Sequence, residues 1–267
     1  MPRVKAGSIH IYYTSHGKGK PLVFINGRHM CQKLLGMHVP VFAQEYRVIT
    51  FDNRCCGRSD SPDTPCTILM MADDMAALLD AIGIESAHFC GYSMGTKIAE
   101  EFALKYPGKV KSLILVGYAP PDPGIPLGPI WTIAQRIASL EHPVEERMWH
   151  LYRQCVSEDF INNHPELAEN MVAIMAENAG PLHAQKRQIE ASFSHNNYQR
   201  LPEIKAPTLV IAGGEDITCP LDDMRSMAKR IPGAELALVE KGGHFLMWEC
   251  FEESNRIILE YLKKHKG

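Results

Sequence analysis

The chain has 267 residues, 45% of them hydrophobic and 22% charged, a balance that matches a folded globular protein and excludes a disordered or fibrous one. Its 28 Lys and Arg stand against 31 Asp and Glu, and the net charge of −3 excludes a strongly basic nucleic-acid or membrane-surface binder. The length suits one large domain carrying an insertion.

From the N-terminus, Ser8 to Thr14 alternates polar and apolar residues and predicts part of an antiparallel edge. Short runs rich in branched residues follow at Leu22 to Ile25, Arg47 to Phe51, Ala87 to Cys90 and Ser112 to Val116, then at Thr208 to Ala212 and Glu235 to Val239. Such runs read as strands buried on both faces. Between them, Met71 to Ile82 predicts a helix stopped by Gly83, and Thr96 to Tyr106 a second one ended by Pro107. Phe245 to Lys264 predicts a closing helix, with Ile257, Ile258, Tyr261 and Leu262 on one apolar face. This alternation predicts an α/β fold with a mostly parallel central sheet flanked by helices.

After Val116 the alternation breaks. The proline-rich run Pro120 to Pro129 can continue neither a helix nor a central strand, so the chain must leave the sheet as a loop, and Pro202 and Pro207 frame its return. The intervening stretch, about Ile130 to Arg200, reads as several helices without strands. The expected organisation is a core of residues 1–119 and 205–267 and an all-helical cap, or lid, over 120–204. Trp131, Met148, Trp149, Phe160, Met171, Met175 and Phe193 give that segment bulky apolar side chains, most of which must pack helices together. Trp131 and Trp149 are candidates for the ceiling of a pocket.

The eight cysteines, at 31, 55, 56, 66, 90, 155, 219 and 250, follow neither a disulfide framework nor a C-x-x-C metal clip and read as reduced thiols. Residues 1–7 lack a secretory apolar stretch, and no apolar run reaches the ~18 residues that cross a bilayer. A cytoplasmic protein with no membrane partner is expected. No histidine pair has metal-ligand spacing, so no metal is expected. Monomer and homodimer are both compatible with the sequence.

Gly91-Tyr92-Ser93-Met94-Gly95 stands between a predicted strand and a predicted helix. In that context G-x-S-x-G is a sharp turn that lifts a serine hydroxyl above the sheet edge, with the first amides of the helix beside it. The bland alternative is a serine that merely caps the helix. A serine nucleophile needs a histidine base and an acid to orient it. Gly213-Gly214-Glu215-Asp216 and Lys241-Gly242-Gly243-His244 each follow a predicted strand, which would bring Asp216 and His244 to the rim that carries Ser93. Glu215 and Asp122 are rivals for the acid.

On these residues the chain resembles the α/β-hydrolase family over about Met1 to Gly117 and Thr208 to Gly267. The resemblance matches the family's nucleophile elbow to Gly91–Gly95, its acid turn to Asp216 with Pro220, and its catalytic histidine to His244. The family signature D-x-R-G-x-G-x-S stands here as Asp52-Asn53-Arg54-Cys55-Cys56-Gly57-Arg58-Ser59, with Cys55 in place of a glycine. The family's His-Gly pair after the third strand is Asn26-Gly27 here. The resemblance assigns the oxyanion hole to the backbone N–H groups of Arg28 and Met94, with Asn26, Gly27 and His29 beside the pocket. For the Arg28 side chain a solvated loop arginine is the favoured reading and a carboxylate-binding arginine the alternative.

The resemblance implies a cofactor-independent serine hydrolase acting on a small to medium carboxylic ester or lactone. Carbon–carbon hydrolysis of ring-fission diketones on the same three residues, perhydrolysis, and a hydrolase-like small-molecule sensor are alternatives.

Overall fold

The structure, a computed structural model, describes residues 3–121 and 142–265. Eight strands form one sheet: β1 (Arg3–Ala6), β2 (Ile9–His16), β3 (Lys20–Ile25), β4 (Tyr46–Phe51), β5 (Ala87–Tyr92), β6 (Val110–Val116), β7 (Thr208–Gly213) and β8 (Glu235–Val239). The order across the sheet is β1-β2-β4-β3-β5-β6-β7-β8. β1 and β2 run antiparallel at one edge, and every pairing from β4 to β8 is parallel. This is the mostly parallel sheet that the alternation predicts, in the α/β-hydrolase arrangement that the resemblance implies. The chain steps outward from β3 to β4 and then jumps back to the other side of β3 for β5. Such a reversal opens a crevice above the C-terminal ends of the two inner strands.

The central strands are buried on both faces, as continuous apolar runs require. One face packs on α2 (Ile68–Ala81), α3 (Met94–Lys105) and α8 (Leu221–Arg230), in a core that includes Met75, Phe89, Phe102 and Met224. On the other face lie α1 (Val39–Phe42), α9 (Leu246–Glu249) and α10 (Phe251–Lys264), with Phe42, Trp248, Ile258 and Leu262 enclosed.

Between β6 and β7, the described residues 142–205 hold α4 (Val144–Cys155), α5 (Glu158–Asn163), α6 (Pro165–Asn178) and α7 (Leu182–Phe193), then a 3₁₀ stretch over Tyr198–Glu203. No strand occurs in that described stretch. Met148, Tyr152, Met171 and Met175 from α4 and α6 join the second core. Polar contacts fix the segment to the sheet loops. Gln188 accepts from the His29 amide at 2.9 Å and donates to the Arg54 carbonyl at 2.8 Å, while the Gly57 amide donates to the Asn178 carbonyl at 2.8 Å.

Two features differ from the sequence reading, and a third bears on the Cys55 position. Arg3–Ala6 forms an additional edge strand, paired with β2 from Arg3 opposite Tyr12 to Ala6 opposite Ile9. The closing helix is two helices, interrupted at Cys250, whose φ of −119° and ψ of 55° leave the helical region. Ser254 Oγ donates to the Leu246 carbonyl across the break at 2.9 Å. Cys55, in the place of the family's glycine, keeps the left-handed backbone with φ 67°. The turn therefore survives the substitution at the cost of the strain that a Cβ brings there.

Candidate active site

β5 ends at Tyr92, and the chain turns into α3 through Ser93, with φ 53° and ψ −118°. A non-glycine residue in that region stores backbone strain, which the surrounding packing must hold. The flanking glycines permit the packing. A Cβ on Gly95 would stand 2.0 Å from the Ile25 carbonyl oxygen, and one on Gly91 would stand 2.5 Å from that of Gly95. Ser93 is the N-cap residue of α3, yet its side chain caps nothing. Its hydroxyl instead lies 3.1 Å from His244 Nε2. That contact excludes the helix-cap reading of this serine.

His244 Nδ1 is 2.9 Å from Asp216 Oδ2. The second oxygen of Asp216 accepts from the Thr218 amide at 2.8 Å, the Thr218 hydroxyl at 2.7 Å and the Cys219 amide at 2.9 Å. Burial raises the carboxyl's pKa, but His244 and these donors outweigh it and hold Asp216 below the ordinary carboxylate range. An ionised carboxylate only accepts, so Nδ1 of His244 donates to it, and in the neutral ring Nε2 is left to accept the Ser93 proton. Glu215 is exposed beside it, and its amide donates to the Gly242 carbonyl at 2.9 Å. Asp122 lies outside the described residues.

The loops after β7 and β8 approach closely because Gly213 has no side chain; a Cβ there would stand 2.3 Å from the Gly242 oxygen. The imidazole is steadied from two further directions. Tyr92 Oη donates to the His244 carbonyl at 2.8 Å, with the two rings 5.5 Å apart. From the helical segment, the Cys155 carbonyl accepts from the His244 amide at 3.0 Å.

Met94 is the first residue of α3, so its N–H has no acceptor within the helix. Gly27 packs against the elbow: a Cβ on it would stand 3.2 Å from Ser93 Cβ. Asn26 is buried; its carbonyl accepts from Asn53 Nδ2 at 3.0 Å, while its side-chain amide has no partner among the described residues. His29 is also buried, with φ 60° and neither ring nitrogen partnered. Burial, reinforced by Arg28 and Arg147, pushes its pKa well below the ordinary value.

A cavity of about 40 Å³ lies over Ser93 and His244, lined also by Arg28, Met30, Tyr92, Leu151, Cys155, Met175 and Phe245. Arg28 is half-buried at this cavity rather than freely solvated. Its guanidinium stacks 5.1 Å over the Phe193 ring, its Nε is enclosed without a partner, and burial draws its pKa down to about 10. Trp149 is not among the lining residues; it packs on Tyr152 and lies under the Arg153 guanidinium. Trp131 lies outside the described residues. Leu151, Cys155 and Met175 supply the ceiling instead. Their signal was present in the sequence, because Met148, Leu151, Tyr152 and Cys155 fall on one face at helical spacing and Trp149 does not.

Among the described residues no three His, Cys, Asp or Glu side chains converge as a metal site would require, and no helix is long and apolar enough to cross a membrane.

Residues 20–250 match the model of the alpha/beta hydrolase fold family. The chain belongs to that family. It is 31% identical over 248 residues to RutD of Azorhizobium caulinodans, named as a carbamate hydrolase, with 91% of each chain covered. A 2-hydroxy-6-oxononadienedioate/2-hydroxy-6-oxononatrienedioate hydrolase of Burkholderia vietnamiensis is 32% identical over 239 residues, 85% of this chain and 80% of that one. Among solved structures, Est816, described as an N-acyl homoserine lactone degrading enzyme, superposes with a TM-score of 0.82 at 30% identity, covering 97% of this chain and 100% of its own.

Proposed function

We propose that the protein is a cofactor-independent serine hydrolase that cleaves a small to medium carboxylic ester or lactone through an acyl-enzyme on Ser93. The observation that carries this reading is the continuous relay from Asp216 through His244 to Ser93, at 2.9 and 3.1 Å, assembled from three strand ends. Ser93 Oγ attacks the carbonyl carbon as its proton passes to His244 Nε2. The Arg28 and Met94 amides hold the oxyanion, and one such donor lowers the barrier by about 3 kcal/mol. His244 then gives its proton to the leaving alcohol and takes one from water, the hydroxide attacks the acyl carbon, and His244 returns that proton to Ser93 Oγ as the acid leaves. Asp216 stays ionised and holds the ring in the productive tautomer.

Residues 120–204 serve as a cap over Ser93, a role supported by the cavity contacts of Leu151, Cys155 and Met175. The name of the Burkholderia vietnamiensis relative favours a second reading, hydrolysis of a carbon–carbon bond in a vinylogous diketone on the same three residues. A panel of esters, lactones, thioesters and vinylogous diketones, run beside Ser93→Ala, separates the two. Turnover in one class that disappears in Ser93→Ala is expected. A wild-type rate retained by the variant on every substrate cleaved overturns the assignment.

A further inference from the structure

The cavity over Ser93 contains a cation that the proposed chemistry does not use. Arg28 lines the cavity with Ser93 and His244, its Nε is enclosed without a hydrogen-bond partner, and among the described residues no carboxylate pairs with it. The environment adds positive charge. Arg147 of α4 is buried nearby, donating to Gln185 Oε1 at 3.1 Å while its own Nε has no partner, and Lys97 of α3 donates to the Ser192 carbonyl and lies 4.2 Å over the Tyr118 ring. Arg28 and Arg147 are both close enough to His29 to disfavour a proton on it, and Arg28 does the same to Lys97. Lys97 has Glu100 beside it, whereas among the described residues no carboxylate offsets the charge of Arg28. Enclosing the Nε of this half-buried guanidinium without an acceptor costs free energy in the empty site, a cost that an arriving anion reduces. The planar fork matches a carboxylate, and its centre lies 5.1 Å over the Phe193 ring.

We propose that the Arg28 side chain binds a carboxylate of the substrate a few bonds from the scissile carbonyl, so that the protein selects anionic esters or lactones over neutral ones. This specificity rests on Ser93 being the nucleophile.

Two isosteric pairs test it: methyl hydrogen succinate against methyl levulinate, with the charge on the acyl side, and O-acetylglycolate against acetoxyacetone, with the charge on the alcohol side. The wild-type protein is expected to prefer the anion in at least one pair, and Arg28→Met to lower that kcat/KM ratio roughly 10- to 100-fold, as loss of a charge-assisted pair does. The ratio is the readout because any disturbance of the Arg28 backbone amide lowers both members alike. Neutral substrates hydrolysed as well as their anionic partners in both pairs, or equal losses in Arg28→Met, would overturn the proposal and leave the Ser93 assignment standing. Failure of that assignment registers separately, as hydrolysis surviving Ser93→Ala. Calorimetric binding of methyl hydrogen succinate and O-acetylglycolate to the Ser93→Ala protein then still reads Arg28. Binding of one of them weakened on adding Arg28→Met is expected, and binding unchanged or absent for both overturns the proposal.

Discussion

The carbonyl of Cys155, at the last turn of α4, accepts a hydrogen bond from the backbone amide of His244 at 3.0 Å. The Phe245 amide reaches the same oxygen at 3.3 Å, and the Tyr152 ring stands 5.3 Å from that of Phe245. Through these contacts α4 holds the backbone that carries the imidazole. Tyr152 is fully buried, so Tyr152→Ala is expected to cost about 3 to 5 kcal/mol of stability, the range for emptying an aromatic site. Hydrolysis should fall in Tyr152→Ala under conditions where circular dichroism still reports a folded protein. An unchanged kcat in the folded variant would remove the positioning role from α4.

The strained backbone at Ser93 reverses an ordinary preference. Elsewhere alanine is more stabilising than glycine by about 0.5 to 1 kcal/mol, but at φ 53° a side chain carries strain that glycine avoids. Ser93→Gly should therefore be more stable than Ser93→Ala by about 1 kcal/mol, read as a higher urea midpoint, with both inactive. Gly95→Ala should fail for the opposite reason. Its new Cβ would stand 2.0 Å from the Ile25 oxygen, a backbone atom that cannot swing aside, and a loss of about 3 kcal/mol or more is expected.

Asp216→Asn tests the relay with little change of shape. An amide in that position can present its NH₂ to Nδ1 and so stabilise the wrong tautomer, with Nε2 protonated and unable to take the Ser93 proton. A fall of about 10⁴-fold in kcat with an unchanged melting temperature is expected. A loss below about tenfold, measured on the best ester of the panel, would mean that Asp216 does not set the tautomer.

Acid should unfold the protein through histidines far from Ser93. His38 is buried with Nδ1 2.9 Å from Asn255 Oδ1, and His88 is buried with Nδ1 2.8 Å from Ser112 Oγ. Burial lowers both pKa values to about 4 from an ordinary 6.5. A base whose folded pKa is depressed adds stability that is complete above pH 6.5 and is lost on acidification until about pH 4, because only the unfolded chain takes up the proton in that window. Glu100, raised by burial to about 8, works in the other direction, so a difference measurement is needed. The stability difference between wild type and His38→Gln should change across the window by about 1.4 kcal/mol per pH unit. Parallel stability curves would exclude His38 from the acid response.

The parts of the site legible in the sequence are those where local geometry dictates residue type. The elbow needs glycines on both sides of Ser93, and the loops at Asp216 and His244 each follow a strand that reads as buried. Contacts between distant segments were not legible. The direction of the Arg28 side chain depends on Phe193, which belongs to α7, and no spacing links the two. β1 was missed because Arg3 to Ala6 is too short for alternation to stand out. The break at Cys250 was hidden because apolar residues keep helical spacing through it, with Leu246, Met247 and Trp248 before it and Ile258 and Leu262 after it all in the second core.

The account depends most on Ser93 being an activated nucleophile. Incubation of the protein with a fluorophosphonate, followed by intact-mass measurement and peptide mapping, reads this directly. The account predicts one adduct per chain, on Ser93, formed as hydrolysis is lost and not formed in His244→Ala. A protein that hydrolyses its best substrate unimpaired with Ser93 fully modified, or that is inactivated by an adduct elsewhere, would contradict it.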